Sequence, residues 1–214
     1  MNLLIFDLDG TLIDSKRDLV NSVNASRAHL GLPPLAEETV SSYVGNGAPV
    51  LIQRSLGPDA SKSDVKKALD YFLQYYRDHM VDHTVLYPGV RESLDRFQAA
   101  GMRLAVLTNK PVRISEAICE ALGVGGHFFR IYGGNSFEQK KPHPVGIDKL
   151  IEESGADREQ TWMVGDSDVD IRTARNARVK ACGVTYGLRP ESLASDPPDL
   201  LVDRMEQLAD YVIR

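Results

Sequence analysis

Leu3-Leu4-Ile5-Phe6-Asp7-Leu8-Asp9-Gly10-Thr11 is the stretch on which the reading of this chain turns. An unbroken apolar run leads straight into two carboxylates spaced two apart, and then a glycine. Such a run reads as a strand buried on both faces. Residues two apart in a strand share a face, so Asp7 and Asp9 are expected side by side where the strand ends. Carboxylates that close repel each other unless a cation or a shared proton intervenes. Gly10 lets the chain turn at once. A plainer alternative is a strand followed by a polar turn, because Asp and Gly are common turn residues; the segment alone leaves both readings open.

Working outward, the 214 residues suffice for a large core, either as one domain or as a domain with an insert. Hydrophobic residues make up 43%, charged residues 26%, and the net charge is −5. No long basic run stands out, which argues against a nucleic-acid partner held by phosphate neutralisation. Asp7 and Asp9 interrupt the apolar N-terminus too early for a signal-peptide core. No stretch nears the ~18 apolar residues of a membrane span, so no membrane partner is expected. Cys119 and Cys182 lie in apolar surroundings and read as reduced core residues, which makes the cytoplasm the expected location. A monomer or small homo-oligomer is expected.

Short apolar runs recur along the chain: Leu104 to Leu107, Phe128 to Tyr132, Trp162 to Val164, Val179 to Val184 and Leu200 to Val202. Helical spacing separates them, as in Ile114, Ile118 and Leu122. This alternation predicts an α/β fold with a parallel sheet and helices on both faces. One region departs from it. From Ser15 to Thr84 only helical patterns occur, with stripes at Leu19, Val23, Arg27, Leu30 and at Val65, Leu69, Phe72, Tyr76, Met80. Ser15 and Asp18 read as a capping box. A helical block this long is unusual for a crossover, so residues 15–84 are expected to form an inserted helical domain. Residues 1–14 and 85–214 would form the sheet domain, with hinges near Asp14 and Tyr87-Pro88-Gly89. The alternative is that the same helices simply cover the sheet within one domain.

The residues just after each apolar run carry the chemistry. Strand one ends in Asp7-Leu8-Asp9; Leu107 is followed by Thr108-Asn109-Lys110; Val164 is followed by Gly165-Asp166-Ser167-Asp168-Val169-Asp170. Ligands of open parallel sheets bind beyond the carboxyl ends of the strands. Asp7, Asp9 and Asp166 are hard oxygen donors that suit Mg²⁺ held by carboxylates and a substrate phosphate. Thr108 and Asn109 can donate to phosphoryl oxygens, and Lys141 can offset phosphate charge. Each has a duller reading. Thr108 and Asn109 are also good N-caps, Lys140-Lys141 resembles a solvated pair, and Ser167 with Asp170 fits a capping box. Asp170 then caps its helix, with contact to the metal through a water as a further option. Asp168 reads as exposed and Trp162 as core.

Together these motifs resemble the haloacid dehalogenase-like phosphohydrolases, whose pattern is Asp-x-Asp-Gly-Thr, a later Thr or Ser, a Lys before Pro, and Gly-Asp-x-x-x-Asp. Here they are Asp7 to Thr11, Thr108, Lys141-Pro142 and Gly165 to Asp170, in order and spanning nearly the whole chain. Within the family, Val44 to Ala48, Thr108 to Pro111, Gly133-Gly134, Lys140 to Pro144 and Val184 to Gly187 are most similar to the bacterial phosphoglycolate phosphatases. Three positions depart from that pattern: Ser167-Asp168-Val169-Asp170 replaces Ser-Arg-Asn-Asp, Arg178 stands where a Gly often follows the helix, and Asn135 stands where Asp is often found.

The resemblance implies a Rossmann-like core with an inserted helical cap and Mg²⁺-dependent hydrolysis of a small phosphate monoester, 2-phosphoglycolate foremost. It implies Asp7 as nucleophile and Asp9 as proton donor and acceptor. Mg²⁺ would lie at Asp7, the backbone carbonyl of Asp9, and Asp166, with phosphate held by Thr108, Asn109 and Lys141. Gly45, Asn46 and Gly47 are candidates for a substrate-selecting loop of the cap; the alternative is a Gly-rich helix start leading to Val50-Leu51-Ile52. Rival readings are a sugar phosphomutase or broad sugar-phosphate phosphatase, a haloacid dehalogenase, and, in another class, a phospho-accepting signalling receiver.

Overall fold

The structure, a computed structural model, describes residues 2–213. Its main sheet has six parallel strands in the order β5-β4-β1-β6-β7-β8. These are β1 Leu3–Phe6, β4 Arg103–Leu107, β5 Arg130–Tyr132, β6 Thr161–Gly165, β7 Lys180–Val184 and β8 Leu200–Val202. The expected α/β class is therefore the class observed. From β1 the chain moves outward through β4 to β5, then crosses back to β6 on the other side of β1. The carboxyl end of β1 thus lies where the direction of winding reverses, the place where open α/β sheets bind ligands.

Alternation along β1 explains how the sheet is buried. Leu4 and Phe6 face one core with Val106 and Val164. Helices α5 (Val90–Ala99), α6 (Val112–Ala121) and α9 (Met205–Val212) cover that side through Leu94, Phe97, Ile118 and Leu208. Leu3 and Ile5 face a second core with Ala105 and Met163, covered by α7 (Val145–Ser154) and α8 (Asp168–Ala177) through Ile147, Leu150, Ile171 and Ala174. β5 is shorter than its apolar run suggested. Residues 125–127 form a 3₁₀ turn, and Phe128 faces the Phe6 ring at 6.5 Å instead of extending the strand.

Between β2 (Ile13–Asp14) and β3 (Val85–Leu86) the described elements are all helical: α1 Lys16–His29, α2 Glu37–Ser42, α3 Ala48–Leu56 and α4 Lys62–His79. β2 and β3 pair antiparallel, Ile13 with Leu86 and Asp14 with Val85. Ser61 caps α4 by accepting from Asp64 N at 3.0 Å. Both expected stripes are buried or half-buried, and Ser26 Oγ ties α1 to α4 by donating to Ala68 O at 2.8 Å. The capping box expected at Ser15 and Asp18 does not form, because both side chains have better-placed partners. Ser15 Oγ donates to Asp9 Oδ1 at 2.5 Å. Asp18 Oδ2 accepts from His83 N at 2.9 Å and from Thr84 N and Oγ1 at 2.8 Å. Among the described residues no helix is long and apolar enough to cross a membrane.

α8 ends at Arg178, whose φ of 55° and ψ of 44° are left-handed. A side chain there costs about 1–2 kcal/mol relative to glycine, part of which glycine's larger unfolded-state entropy offsets. Arg178→Gly is expected to raise the unfolding free energy by about 0.5–1 kcal/mol, measured as a higher urea midpoint at unchanged slope.

Candidate active site

Asp7 prolongs β1 by one residue, its N–H donating to Val164 O at 2.9 Å. The chain then folds back tightly. Thr11, Leu12 and Ile13 all donate to Leu8 O, and Gly10, at φ 85°, donates to Ile13 O at 3.0 Å. A Cβ on Gly10 would lie 2.3 Å from Asp166 Oδ2, and one on Gly187 would lie 2.3 Å from Asp166 Cβ. Two glycines thus leave the space that the Asp166 carboxylate occupies.

Asp7, Asp166 and Asp170 offer oxygens all within 4.8 Å of one another, and all three residues are buried. Lys141 Nζ lies 2.8 Å from Asp7 Oδ1 and 2.6 Å from Asp170 Oδ1. The first is a charge contact without hydrogen-bond alignment, so Asp7 Oδ1 has no hydrogen-bond partner. Asp166 Oδ2 accepts from Leu188 N at 2.7 Å and Arg189 N at 3.0 Å. Burial pushes the Asp7 carboxyl up to about 6, against the pull of Lys141 and reinforced by Asp170 and Asp9. Burial, then Asp170 and Asp7, push Asp166 up to about 8. Burial opposes the charge of Lys141, but Asp170 and Asp7 outweigh it and hold the ammonium above its ordinary value. Three buried oxygen donors with one lysine, one unbonded oxygen and raised carboxyls fit a hard divalent cation.

Asp170 belongs to this trio while also capping α8, its Oδ2 accepting from Ser167 Oγ at 2.7 Å and Ser167 N at 3.2 Å. The Asp9 carboxylate turns elsewhere. It faces Lys110 Nζ at 2.8 and 3.0 Å and accepts from Ser15 Oγ. Lys110 Nζ also donates to Tyr76 Oη, on α4, at 2.7 Å. Thr108 is buried at the end of β4, and its Oγ1 accepts from Lys110 N at 3.2 Å. Asn109 Nδ2 donates to Gly45 O at 2.9 Å and Lys141 O at 3.1 Å, while its buried Oδ1 has no partner. Neither Thr108 nor Asn109 caps α6; Asn135 Oδ1 does, accepting from Val112 N at 2.9 Å.

A cavity of about 50 Å³ lies over these groups. Asp7, Asp9, Thr108, Asn109, Lys110 and Asp166 line it from the sheet, and Leu19, Val44, Leu51, Phe72 and Tyr76 from the helices. Gly45 and Gly47 reach it, Gly47 being also the residue before α3; Asn46 does not, its Oδ1 accepting from Arg54 Nη1 at 3.2 Å. Asp168, expected exposed, is partly covered and pairs with Arg172 at 2.5 Å and Arg189 at 3.4 Å. A larger cavity of about 720 Å³ adjoins the first through Gly47 and Asn109, lined by Arg77, Arg113 and Lys140 and, among the described residues, by no carboxylate. Asp170, expected as a helix cap with a water-mediated metal contact as an option, joins the acidic cluster, whereas Lys110 and Tyr76 lie outside the expected set of site residues. Lys110 carried a signal, standing in the same strand-end segment as Thr108; Tyr76 carried none beyond its apolar stripe.

The family model described as haloacid dehalogenase-like hydrolase matches residues 4–184. The chain belongs to this family. This haloacid dehalogenase-like hydrolase is 39% identical over 211 residues to the phosphoglycolate phosphatase of Chromobacterium violaceum, covering 97% of this chain and 94% of the relative. It is 38% identical to that of Vibrio parahaemolyticus, covering 99% and 96%. The crystal structure of a predicted phosphoglycolate phosphatase from Haemophilus somnus superposes with a TM-score of 0.93 at 34% identity, covering 99% of this chain and 97% of the other.

The raised carboxyls of this hydrolase have a consequence for stability. The folded state holds the Asp166 proton up to about pH 8, whereas the unfolded chain releases it near 3.8. The folded state therefore binds more protons in that window, so stability falls as pH rises from about 4 to about 8. Without metal, the melting temperature should decline over that range, less steeply in Asp166→Asn. Millimolar Mg²⁺ should raise it more at about pH 8 than at about pH 5, where protons compete for the carboxylates. Parallel pH profiles for wild type and Asp166→Asn would contradict the assignment.

Proposed function

We propose that this chain is a Mg²⁺-dependent phosphatase of small phosphate monoesters, with 2-phosphoglycolate as its foremost substrate. The observation that carries this reading is the meeting of Asp7, Asp166, Asp170 and Lys141 beside Asp9 and Thr108 at the sheet's switch point. The small cavity supports a small ester, and the cationic lining of the adjoining one supports an anionic ligand. The names of the Chromobacterium and Vibrio relatives support phosphoglycolate in particular.

In this reading an Asp7 oxygen attacks phosphorus, and the ester oxygen leaves with its bonding electrons, taking a proton from Asp9. The phosphate is then an acyl phosphate on Asp7, which divides one difficult displacement into two. Asp9, now a carboxylate, takes a proton from water as that water attacks phosphorus. Phosphate departs and the Asp7 carboxylate returns. Thr108, Asn109 and Lys141 hold phosphoryl oxygens and balance their charge. Mg²⁺, held by Asp7, Asp166 and the backbone carbonyl of Asp9, with Asp170 beside it, would supply further charge neutralisation when bound.

Residues 15–84 act in this reading as a cap over a core made of residues 1–14 and 85–214, excluding water and selecting the leaving group. Gly45 and Gly47 are the cavity-facing residues of its loop. Asn46 takes a supporting part, since its carbonyl accepts from Lys140 Nζ at 2.6 Å.

Free-phosphate release across a panel of small esters, with and without Mg²⁺, tests the proposal. A sharp preference for 2-phosphoglycolate is expected; even activity over the panel would widen the assignment to a general phosphatase. Asp7→Asn should abolish turnover, and Asp9→Asn should lower it by about 10²–10⁴-fold with the fold intact. Full activity in Asp7→Asn would sink the nucleophile assignment. Stable stoichiometric phosphorylation without turnover would favour the signalling receiver.

A further inference from the structure

Lys110 is a buried cation at the site to which the two-step reaction gives no task. Its Nζ meets Asp9 Oδ1 at 2.8 Å, Asp9 Oδ2 at 3.0 Å and Tyr76 Oη at 2.7 Å. An ammonium has three donors, and these contacts use all of them. The same nitrogen lies 4.5 Å from the centroid of the Tyr76 ring, within range of a cation–π attraction. Tyr76 is itself fixed: it is 1% exposed, and its ring stacks on Phe72 at 5.5 Å. Asp9 follows β1, Lys110 follows β4, and Tyr76 lies on α4, so one nitrogen joins three elements at the cavity wall.

Two plainer roles fit less well. A lysine that holds phosphate directly needs a spare donor, which this geometry does not leave. A purely structural ion pair has no reason to line the cavity, and a buried pair is commonly matched in stability by apolar residues of similar size.

We propose that Lys110 is a positioning residue for Asp9, and that Tyr76 makes this positioning depend on α4 being seated over the site. The proposal rests on the reading of Asp9 as the proton-transfer group. With α4 seated, Lys110 is tied at both ends and holds the Asp9 carboxylate in one orientation. With α4 lifted, Lys110 loses its tether, and the Asp9 carboxylate keeps Ser15 Oγ, at 2.5 Å on one oxygen, and an ammonium no longer fixed in place.

Leaving groups that differ in their need for a proton provide the test. Ethyl phosphate expels an alkoxide, which needs the proton from Asp9; acetyl phosphate, of similar size, expels acetate, which does not. kcat/KM reports the steps through departure of the leaving group. Lys110→Met is expected to lower kcat/KM about 10²-fold for ethyl phosphate and 2-phosphoglycolate, with acetyl phosphate nearly unchanged. Tyr76→Phe should act in the same sense, about tenfold; it keeps the ring and carries the test should Lys110→Met not fold. In an Asp9→Asn background, Lys110→Met should add little, because the two act as one unit. Equal losses on ethyl and acetyl phosphate, or full additivity with Asp9→Asn, would overturn the proposal in favour of a structural role. A loss confined to 2-phosphoglycolate would overturn it in favour of direct contact between Lys110 and the ligand's carboxylate. If Asp9→Asn itself treats ethyl and acetyl phosphate alike, the proton-transfer reading of Asp9 fails, and this inference with it.

Discussion

Four buried or nearly buried carboxylates, on Asp7, Asp9, Asp166 and Asp170, share two buried lysines, Lys110 and Lys141, at one sheet edge. That imbalance of charge away from water is the constraint around which the remainder is arranged. Each buried ion carries a desolvation penalty of several kcal/mol unless well paired. Asp9 has Lys110, Asp7 and Asp170 share Lys141, and Asp166 is held by the backbone N–H groups of Leu188 and Arg189. β1 at the middle of the sheet brings the acids together, because its neighbours β4 and β6 end on the same edge. Apolar cover on both faces of the sheet keeps solvent from relieving them. A fold that carries such a cluster is less stable than it need be, which is characteristic of a site retained for its chemistry.

The helical block meets this edge through a small set of polar contacts. Asn109 donates to Gly45 O, Arg189 to Val44 O and Lys140 to Asn46 O. These three end on backbone carbonyls of consecutive residues, so they place no demand on the side chains there. Lys110 to Tyr76 is different, since its acceptor is a side chain. The loop contacts secure a position, whereas the tyrosine contact requires a hydroxyl acceptor at residue 76.

Much of this was legible because it depends on local properties. The Leu3 to Phe6 run and its parallel neighbours follow from apolar continuity, and the meeting of Asp7, Thr108 and Asp166 follows from each standing at a strand end. Asp170 was legible as the partner of Ser167 with the metal as an option, but spacing does not reveal the carboxylate's second neighbour, Lys141. Tyr76 lay on an apolar stripe that says nothing of where its hydroxyl ends. Asn46 stands between glycines at φ 113° and 86°, and such backbone turns a side chain in a direction no residue pattern encodes. Ser15 and Asp18 had the spacing of a cap, but longer-range partners bind them more completely.

The ribbon of β2 and β3 has one further consequence. Asp14 and Val85 are paired across it, so the chain leaves for the helices and returns from them at the same point. A tight turn of a few residues spans such a pair. The intervening helices are therefore a replaceable module. A lineage can lengthen, shorten or exchange them without stretching the sheet, provided that the two ends of the ribbon still meet and a hydroxyl still reaches Lys110. The acids at the sheet edge and the helices over them sit on parts of the chain that can change at different rates.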